Sequence, residues 1–159
     1  MLTDKEFEKK YARQKDMVFR IAFTYMKNQQ ESEDIMQEVF LKLYTAEQSF
    51  DSEEHEKRWL IRVTVNLCKN HLKSFWHSHR GELKEWQPAA ENLETQEVIK
   101  EVLRLPEKYK IVIYLFYVEG YKVREIGEIL NEKESTIKMR LKKGRELLRM
   151  EYIGKEVLQ

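Results

Sequence analysis

Residues 121 to 149, YKVREIGEILNEKESTIKMRLKKGRELLR, decide how this chain is read. Ile126, Ile129 and Leu130 form an apolar stripe at helical spacing, which predicts a short first helix. Gly127 is small where a second helix must cross closely. Asn131 tolerates the left-handed backbone that ends a helix. Ser135 and Thr136 open the next helix, and Ile137 and Leu141 supply its buried side. From Ser135 to Arg149 there are six cations (Lys138, Arg140, Lys142, Lys143, Arg145, Arg149) against one acid, Glu146. Two helices joined by a tight turn, the second one basic, match the geometry that places a helix in the DNA major groove. A solvated amphipathic helix, or one that binds a membrane surface or an acidic partner, has the same composition.

Working outward, 159 residues allow one domain or two small ones. The chain is almost neutral, with 29 cations and 28 acids, but the balance is uneven. Residues 81 to 120 carry five cations and eight acids, whereas residues 121 to 159 carry ten cations and seven acids. Local basic patches follow, not a uniformly adhesive surface. Cys68 is the only cysteine, so no intramolecular disulfide forms and a reducing compartment is expected. The start, MLTDKEFEKK, is too charged for a secretory signal, and the apolar run IVIYLFYV (111 to 118) is too short to span a bilayer. Five glycines and two prolines argue against a turn-rich all-β chain.

The pattern is that of an all-α chain. A first helix starts at Thr3, with Glu6 completing a capping box, and carries Phe7, Tyr11, Val18, Ala22 and Tyr25 inward. The stretch KNQQES (27 to 32) breaks it. Ser32 is placed to cap a second helix running to about Tyr44, with Glu33 and Asp34 at its positive end. A polar loop covers 45 to 56, and a long helix covers 57 to 76. Residues 77 to 92, with Gly81 and Pro88, have no sustained period and read as a linker. A helix over 93 to 104, closed by Leu105 and Pro106, then one over 107 to 118 ended by Gly120, precede the helix pair described above.

Two segments carry further chemistry. From Lys57 to Arg80 there are six cations and no acid, with Trp59, Phe75 and Trp76 among them. Arg58, Arg62, Asn66, Lys69 and Lys73 fall on one ridge, and Leu60, Val63, Leu67, Cys68 and Leu72 lie across the rest. Cations, rings and an amide suit an opened single strand, whose bases stack and expose their edges. The bland alternative is a helix with all its rings in the core and its lysines merely solvated. On the helix 32 to 44, Ile35, Val39 and Leu43 form one apolar row and Met36, Phe40 and Tyr44 the next. Opposite them lie Asp34, Gln37, Glu38 and Leu41, a polar face with a leucine that a protein partner could cover.

Cys68, His71, His77 and His79 match no usual zinc spacing. His71 on a packed side and His77 and His79 at a helix end account for them. There is no phosphate loop, nucleophile elbow or zinc-protease motif. No enzyme activity and no cofactor are expected.

Together these segments resemble an RNA polymerase sigma factor of the small extracytoplasmic-function type, from about Asp4 to Arg149. SEDIMQEVFLKLY followed by WLIRVTVNLCKNHLKS, and LPEKYKIVIYLFYVEGYKVREIGEILNEKESTIKMRLKKGRELLR, carry the resemblance. The resemblance implies two small helical domains joined by a flexible linker. Residues 1 to 76 would be a region 2 domain, 77 to 92 the linker, and 93 to 159 a region 4 domain with the helix-turn-helix. It implies that Asp34, Gln37, Glu38 and Leu41 dock on the clamp helices of the largest subunit of bacterial core polymerase. It implies that Phe50, Arg62, Asn66, Lys69 and Lys73 recognise and help melt the promoter −10 element. Ser135, Thr136, Lys138, Arg140, Lys143 and Arg145 would read the −35 duplex, with the polymerase flap contacting that domain. Such a protein acts in the cytoplasm without inserting in the membrane, and an anti-sigma factor, often membrane-anchored, holds it inactive.

Four positions depart from the family pattern. Asn131 stands where glycine is usual and Glu132 where an apolar turn residue is usual, the latter expected to loosen the turn. Lys73 replaces a frequent arginine and Asn70 a frequent aspartate. Two other readings remain open at this point: a stand-alone helix-turn-helix regulator, and a small metal-dependent helical enzyme built on Cys68 and the histidines.

Overall fold

The computed structural model describes residues 2–78 and 104–156, and side-chain surroundings for 2–74 and 104–149. Among the described residues there are six α-helices and no strand. The chain divides into two units, Met1–Gln87 and Pro88–Gln159.

In the first unit, α1 (Asp4–Met26) starts as the sequence predicts. The Thr3 hydroxyl accepts from the Glu6 N–H at 3.3 Å, and the Glu6 carboxylate accepts from the Thr3 N–H at 3.1 Å. The helix ends at Lys27 in the left-handed conformation (φ 58°), whose N–H bonds to the Phe23 carbonyl. The break is short, because α2 (Gln29–Thr45) begins at once. Its cap is Asn28, whose side chain accepts from the Glu31 N–H at 3.0 Å. Ser32 is not the cap. It is fully buried one turn inside the helix, its hydroxyl donating to the Asn28 carbonyl at 2.6 Å.

The loop is likewise shorter than expected. α3 (Glu53–Ser78) starts four residues before position 57. Ser52 makes this possible, since its hydroxyl accepts from the His55 N–H at 3.0 Å. Glu53, Glu54 and Glu56 then sit on the positive helix end. The first two residues of the expected linker belong to α3, and the rest of it lies outside the described residues, as does the helix expected at 93 to 104 apart from Arg104.

The three helices pack around Val18, Ile21, Ala22 and Tyr25 of α1, Ile35, Val39, Phe40 and Leu43 of α2, and Leu60, Ile61, Val65 and Cys68 of α3. Aromatic edges extend this core toward the start of α1: Tyr11 meets Phe40 at 4.8 Å and Phe7 meets Tyr44 at 5.2 Å between ring centres. One charge is buried with them. Glu56 is 2% exposed; Lys10 of α1 reaches one carboxylate oxygen and Arg13 reaches the other at 3.4 Å. Arg13 also bonds Glu53 at 2.8 Å. An isolated buried carboxylate would be costly, and these two cations offset its desolvation.

In the second unit, Pro106 precedes α4 (Glu107–Ile113). This helix runs on as a π-helical stretch, Tyr114–Val118, to Gly120 at φ +74°. α5 (Val123–Leu130) and α6 (Glu134–Glu156) follow. Ile111, Val112, Leu115, Ile126, Ile129, Ile137 and Leu141 form the core between them. Asn131 takes the left-handed turn (φ 55°, ψ 49°) that its sequence position implies. The close approach at Gly127 comes from the turn itself: a Cβ there would lie 2.8 Å from the Glu132 carbonyl oxygen. A second close approach joins α4 and α6, where a Cβ on Gly144 would lie 2.5 Å from Ile113 Cδ1.

These two glycines differ in what would have to move. Gly127→Ala drives a methyl into backbone and should destabilise by about 1–3 kcal/mol, despite the better helix propensity of alanine. Gly144→Ala meets side-chain atoms of Ile113 and not backbone, and alanine's helix propensity offsets part of the crowding, so it should cost less. Urea denaturation of both variants checks the order; a Gly127→Ala protein as stable as the parent would contradict the tight turn. Removing Glu56 leaves Lys10 and Arg13 partly hydrated, so Glu56→Ala should cost about 1.5–3 kcal/mol, read in the same experiment. Burial pushes the Cys68 thiol from its ordinary 9.0 up to about 12. The folded protein should therefore resist alkylation at pH 9 and react once unfolded. Because the unfolded thiol ionises first, this group's contribution to stability is intact below pH 9.0 and is lost as pH rises toward about 12.

Candidate nucleic-acid interface

The face of α3 opposite its core stripe is the basic ridge that the sequence predicts. Burial of Leu60, Ile61, Thr64, Val65 and Cys68 sets the helix rotation, and this turns Arg62, Asn66, Lys69 and Lys73 outward. Arg62 to Lys73 spans about 16 Å of helix axis. Arg58, at the start of the ridge, is half-buried, and its Nε lies 3.2 Å from the Glu54 carboxylate one turn back.

Phe50 lies in the connecting segment 46–52 but is held against α3. Its ring meets Trp59 at 5.4 Å and His55 at 5.3 Å, edge to face, and the Lys10 ammonium stands 5.5 Å from its centre. Ring contacts of this kind stabilise beyond the area they bury. The segment is thus pinned at the N-terminal end of the basic ridge.

On α2, the spacing 34, 37, 38, 41 puts four side chains on one outward face. Asp34 and Gln37 are exposed, and Gln30 donates to Asp34 at 3.2 Å. Leu41 is 63% exposed among them. Glu38 is half-buried, with its carboxylate 3.4 Å from His71 Nε2 of α3. His71 therefore does not sit on a packed side. It is exposed at the rim between the two helices, where an imidazole keeps a polar partner that the core would deny it.

The second basic helix, α6, presents its cations in three ways. Lys138 is exposed, with Glu134 one turn back at 3.7 Å, and Ser135, Lys142 and Lys143 also face outward. Thr136 is half-buried. Arg145 spreads its guanidinium over the rings of Phe116 and Tyr117, 5.3 and 5.4 Å from their centres, and its Nε donates to the Tyr117 hydroxyl. Arg140 is held by Glu132 from the turn, Nη1 to Oε1 at 3.5 Å. The turn is closed by the Glu132 N–H, which donates to the Gly127 carbonyl at 2.9 Å.

Ser135, Thr136, Lys138 and Arg140 are brought together in the first two turns of α6, and Lys143 follows one turn on. Sequence reasoning missed Glu132 as a partner of Arg140, and Phe116 and Tyr117 as the platform for Arg145. Neither pair has a local spacing signal. It also missed Met139, Tyr117 and Val118 as exposed apolar side chains. Among the described residues no cluster of His, Cys, Asp and Glu could hold a metal, and Cys68 lies in the core. No described helix is long and apolar enough to cross a membrane.

Comparison with known proteins agrees with this arrangement. Residues 11–77 match the family model for sigma-70 region 2, and residues 95–148 match that for sigma-70 region 4. The ECF RNA polymerase sigma factor SigW of Bacillus subtilis is 32% identical, over 85% of this chain and 82% of that protein. The RNA polymerase sigma factor SigV of the same organism is 29% identical, over 87% of this chain and 86% of that protein. The sigma factor RpoE of Bartonella quintana, solved in complex with the anti-sigma factor NepR, shares the fold. The match has a TM-score of 0.78 at 20% identity and covers 92% of this chain and 96% of that one. With two sigma-70 regions in order along one chain and an ECF relative matched over most of its length, this protein belongs to the ECF RNA polymerase sigma factors, alternative, non-enzymatic factors that direct transcription initiation.

Proposed function

We propose that the first unit docks on bacterial core polymerase through α2 and captures the −10 element through α3, and that the second unit reads the −35 element through α6. The observation that carries this reading is the division of the first unit into two outward faces. One is polar and acidic around an exposed Leu41; the other is the basic ridge of Arg62, Asn66, Lys69 and Lys73. An acidic face with a leucine suits a protein surface, and a basic ridge suits a polyanion.

On this reading Asp34, Gln37, Glu38 and Leu41 meet the clamp helices of the largest subunit. The ridge follows the phosphates of the strand that melting exposes, and Phe50, with its ring anchored on Trp59, helps hold an extruded base. Such a capture offsets an unstacking cost of a few kcal/mol. Ser135, Thr136, Lys138, Arg140 and Lys143 approach the −35 duplex. Arg145 joins them by leaving its aromatic platform or by reaching a phosphate from it. The polymerase flap contacts the second unit. The domain boundaries proposed are 1–76 and 93–159, joined by 77–92. The factor works in the cytoplasm, and by analogy with the Bartonella complex an anti-sigma protein restrains it there or at the membrane.

Transcription in vitro with purified core polymerase on a promoter library tests the whole reading: start sites that require this chain are expected. Gln37→Ala combined with Glu38→Ala should abolish co-purification with core while the helical circular-dichroism signal is unchanged. Retained co-purification would remove α2 as the docking face. Lys69→Ala with Lys73→Ala should lower open-complex stability and reduce its salt slope by about 0.7 for each lost single-strand phosphate contact. An unchanged slope would take both lysines off the DNA.

A further inference from the structure

The side chain of Glu132, in the turn between α5 and α6, reaches Arg140, a proposed DNA-reading residue. We infer that Glu132 is a positioning residue that holds Arg140 ready to read one guanine of the −35 element. The inference rests on the proposed role of α6 as the −35 reader.

The backbone around Glu132 is fixed from both sides. Its N–H donates to the Gly127 carbonyl at 2.9 Å, and its own carbonyl packs against the bare Cα of Gly127. Its carboxylate therefore starts from a well-defined point and crosses to α6, eight residues on, to meet Arg140 Nη1 at 3.5 Å. The Arg140 side chain is only 22% exposed and that of Glu132 34%. Lys138, by comparison, is 67% exposed and pairs at 3.7 Å with its i−4 neighbour Glu134.

A guanidinium has five N–H donors in a rigid fork. Glu132 engages Nη1, and the rest of the fork remains for the O6 and N7 of a guanine, the usual double acceptor of an arginine in the major groove. An unrestrained arginine loses much rotamer freedom when it binds; here part of that loss occurs on folding. The carboxylate has an opposite effect on affinity, since a negative charge near the backbone repels phosphates. Glu132 thus favours discrimination over general adhesion. A turn residue whose only task was to fill space would do neither.

The test uses holoenzyme assembled from core polymerase and the full chain, transcribing a promoter library randomised across the −35 element, with the transcripts sequenced. Parent, Glu132→Gln, Arg140→Ala and the double variant are compared at low and high salt. The parent should prefer guanine at one position by about tenfold. Arg140→Ala and Glu132→Gln should each flatten that single position to about twofold or less, and the double variant should be no flatter than Arg140→Ala. Total output with Glu132→Gln at low salt should equal or exceed that of the parent. Flattening by Arg140→Ala but not by Glu132→Gln would overturn the positioning role and leave the −35 reading standing. Equal losses at every position with Glu132→Gln, or a lowered melting temperature, would overturn it in favour of a purely structural turn residue. No change with Arg140→Ala would remove Arg140 from base reading, and the inference with it.

Discussion

The second unit depends on the missing side chain at position 127. The Glu132 carbonyl oxygen occupies space that any Cβ there would need, at 2.8 Å. This lets the turn after α5 fold back within one residue of the helix end. Asn131 supplies the left-handed backbone at a cost that an asparagine carries more lightly than most residues. With the turn so short, Ile126 and Ile129 of α5 and Ile137 and Leu141 of α6 form one buried seam. The rotation of α6 about that seam then decides which of its cations face outward. The guanidinium of Arg140 and the exposed ammonium of Lys138 owe their different settings to it.

The first unit has an analogous fixed point of opposite chemistry. Glu56 is buried at the start of α3 and must be satisfied there, and α1 supplies Lys10 and Arg13. A buried ion pair stabilises less than apolar packing of equal volume would, but it strongly disfavours arrangements that leave the carboxylate unpaired. It therefore sets the alignment of α1 against α3. Lys10 also stands over Phe50, so the same contact ties down the segment before α3. The aromatic ring at the end of the basic ridge is thus held by a cation that also satisfies the buried carboxylate.

Much of this was legible in the sequence because it follows from periodicity and capping. The Thr3–Glu6 box, the left-handed Asn131, the stripe of Ile126, Ile129, Ile137 and Leu141, and the outward ridge of α3 all depend on residues within a turn or two of one another. Where two residues compete for the same local task, local pattern does not choose between them. Ser32 and Asn28 are both good caps, and Ser52 caps a helix whose first four residues read as part of a polar loop. Tertiary burial chose between them: Ser32 sits in the core, and Glu56 is needed there as a helical residue. Contacts across a turn or between helices leave no period at all. Glu132 with Arg140, His71 with Glu38, and Arg145 with Phe116 and Tyr117 belong to this group.

The same placement of charge bears on why a factor of this kind acts with polymerase and not alone. The chain's formal net charge is only +1, so its field offers little long-range attraction to DNA. Its basic surfaces are local, and at physiological salt their reach is about 8 Å. A ridge of four polar and cationic residues and a cluster of cations on one helix would each bind DNA weakly in that setting. Polymerase would hold both at fixed distances from the promoter, and the second contact would then form at high effective concentration. On the role inferred for it, Glu132 would move the balance further in that direction. If Arg140 reads the duplex as proposed, an acid beside it would lower adhesion to arbitrary duplex and, by restricting that arginine, would raise the fraction of its remaining affinity that depends on sequence.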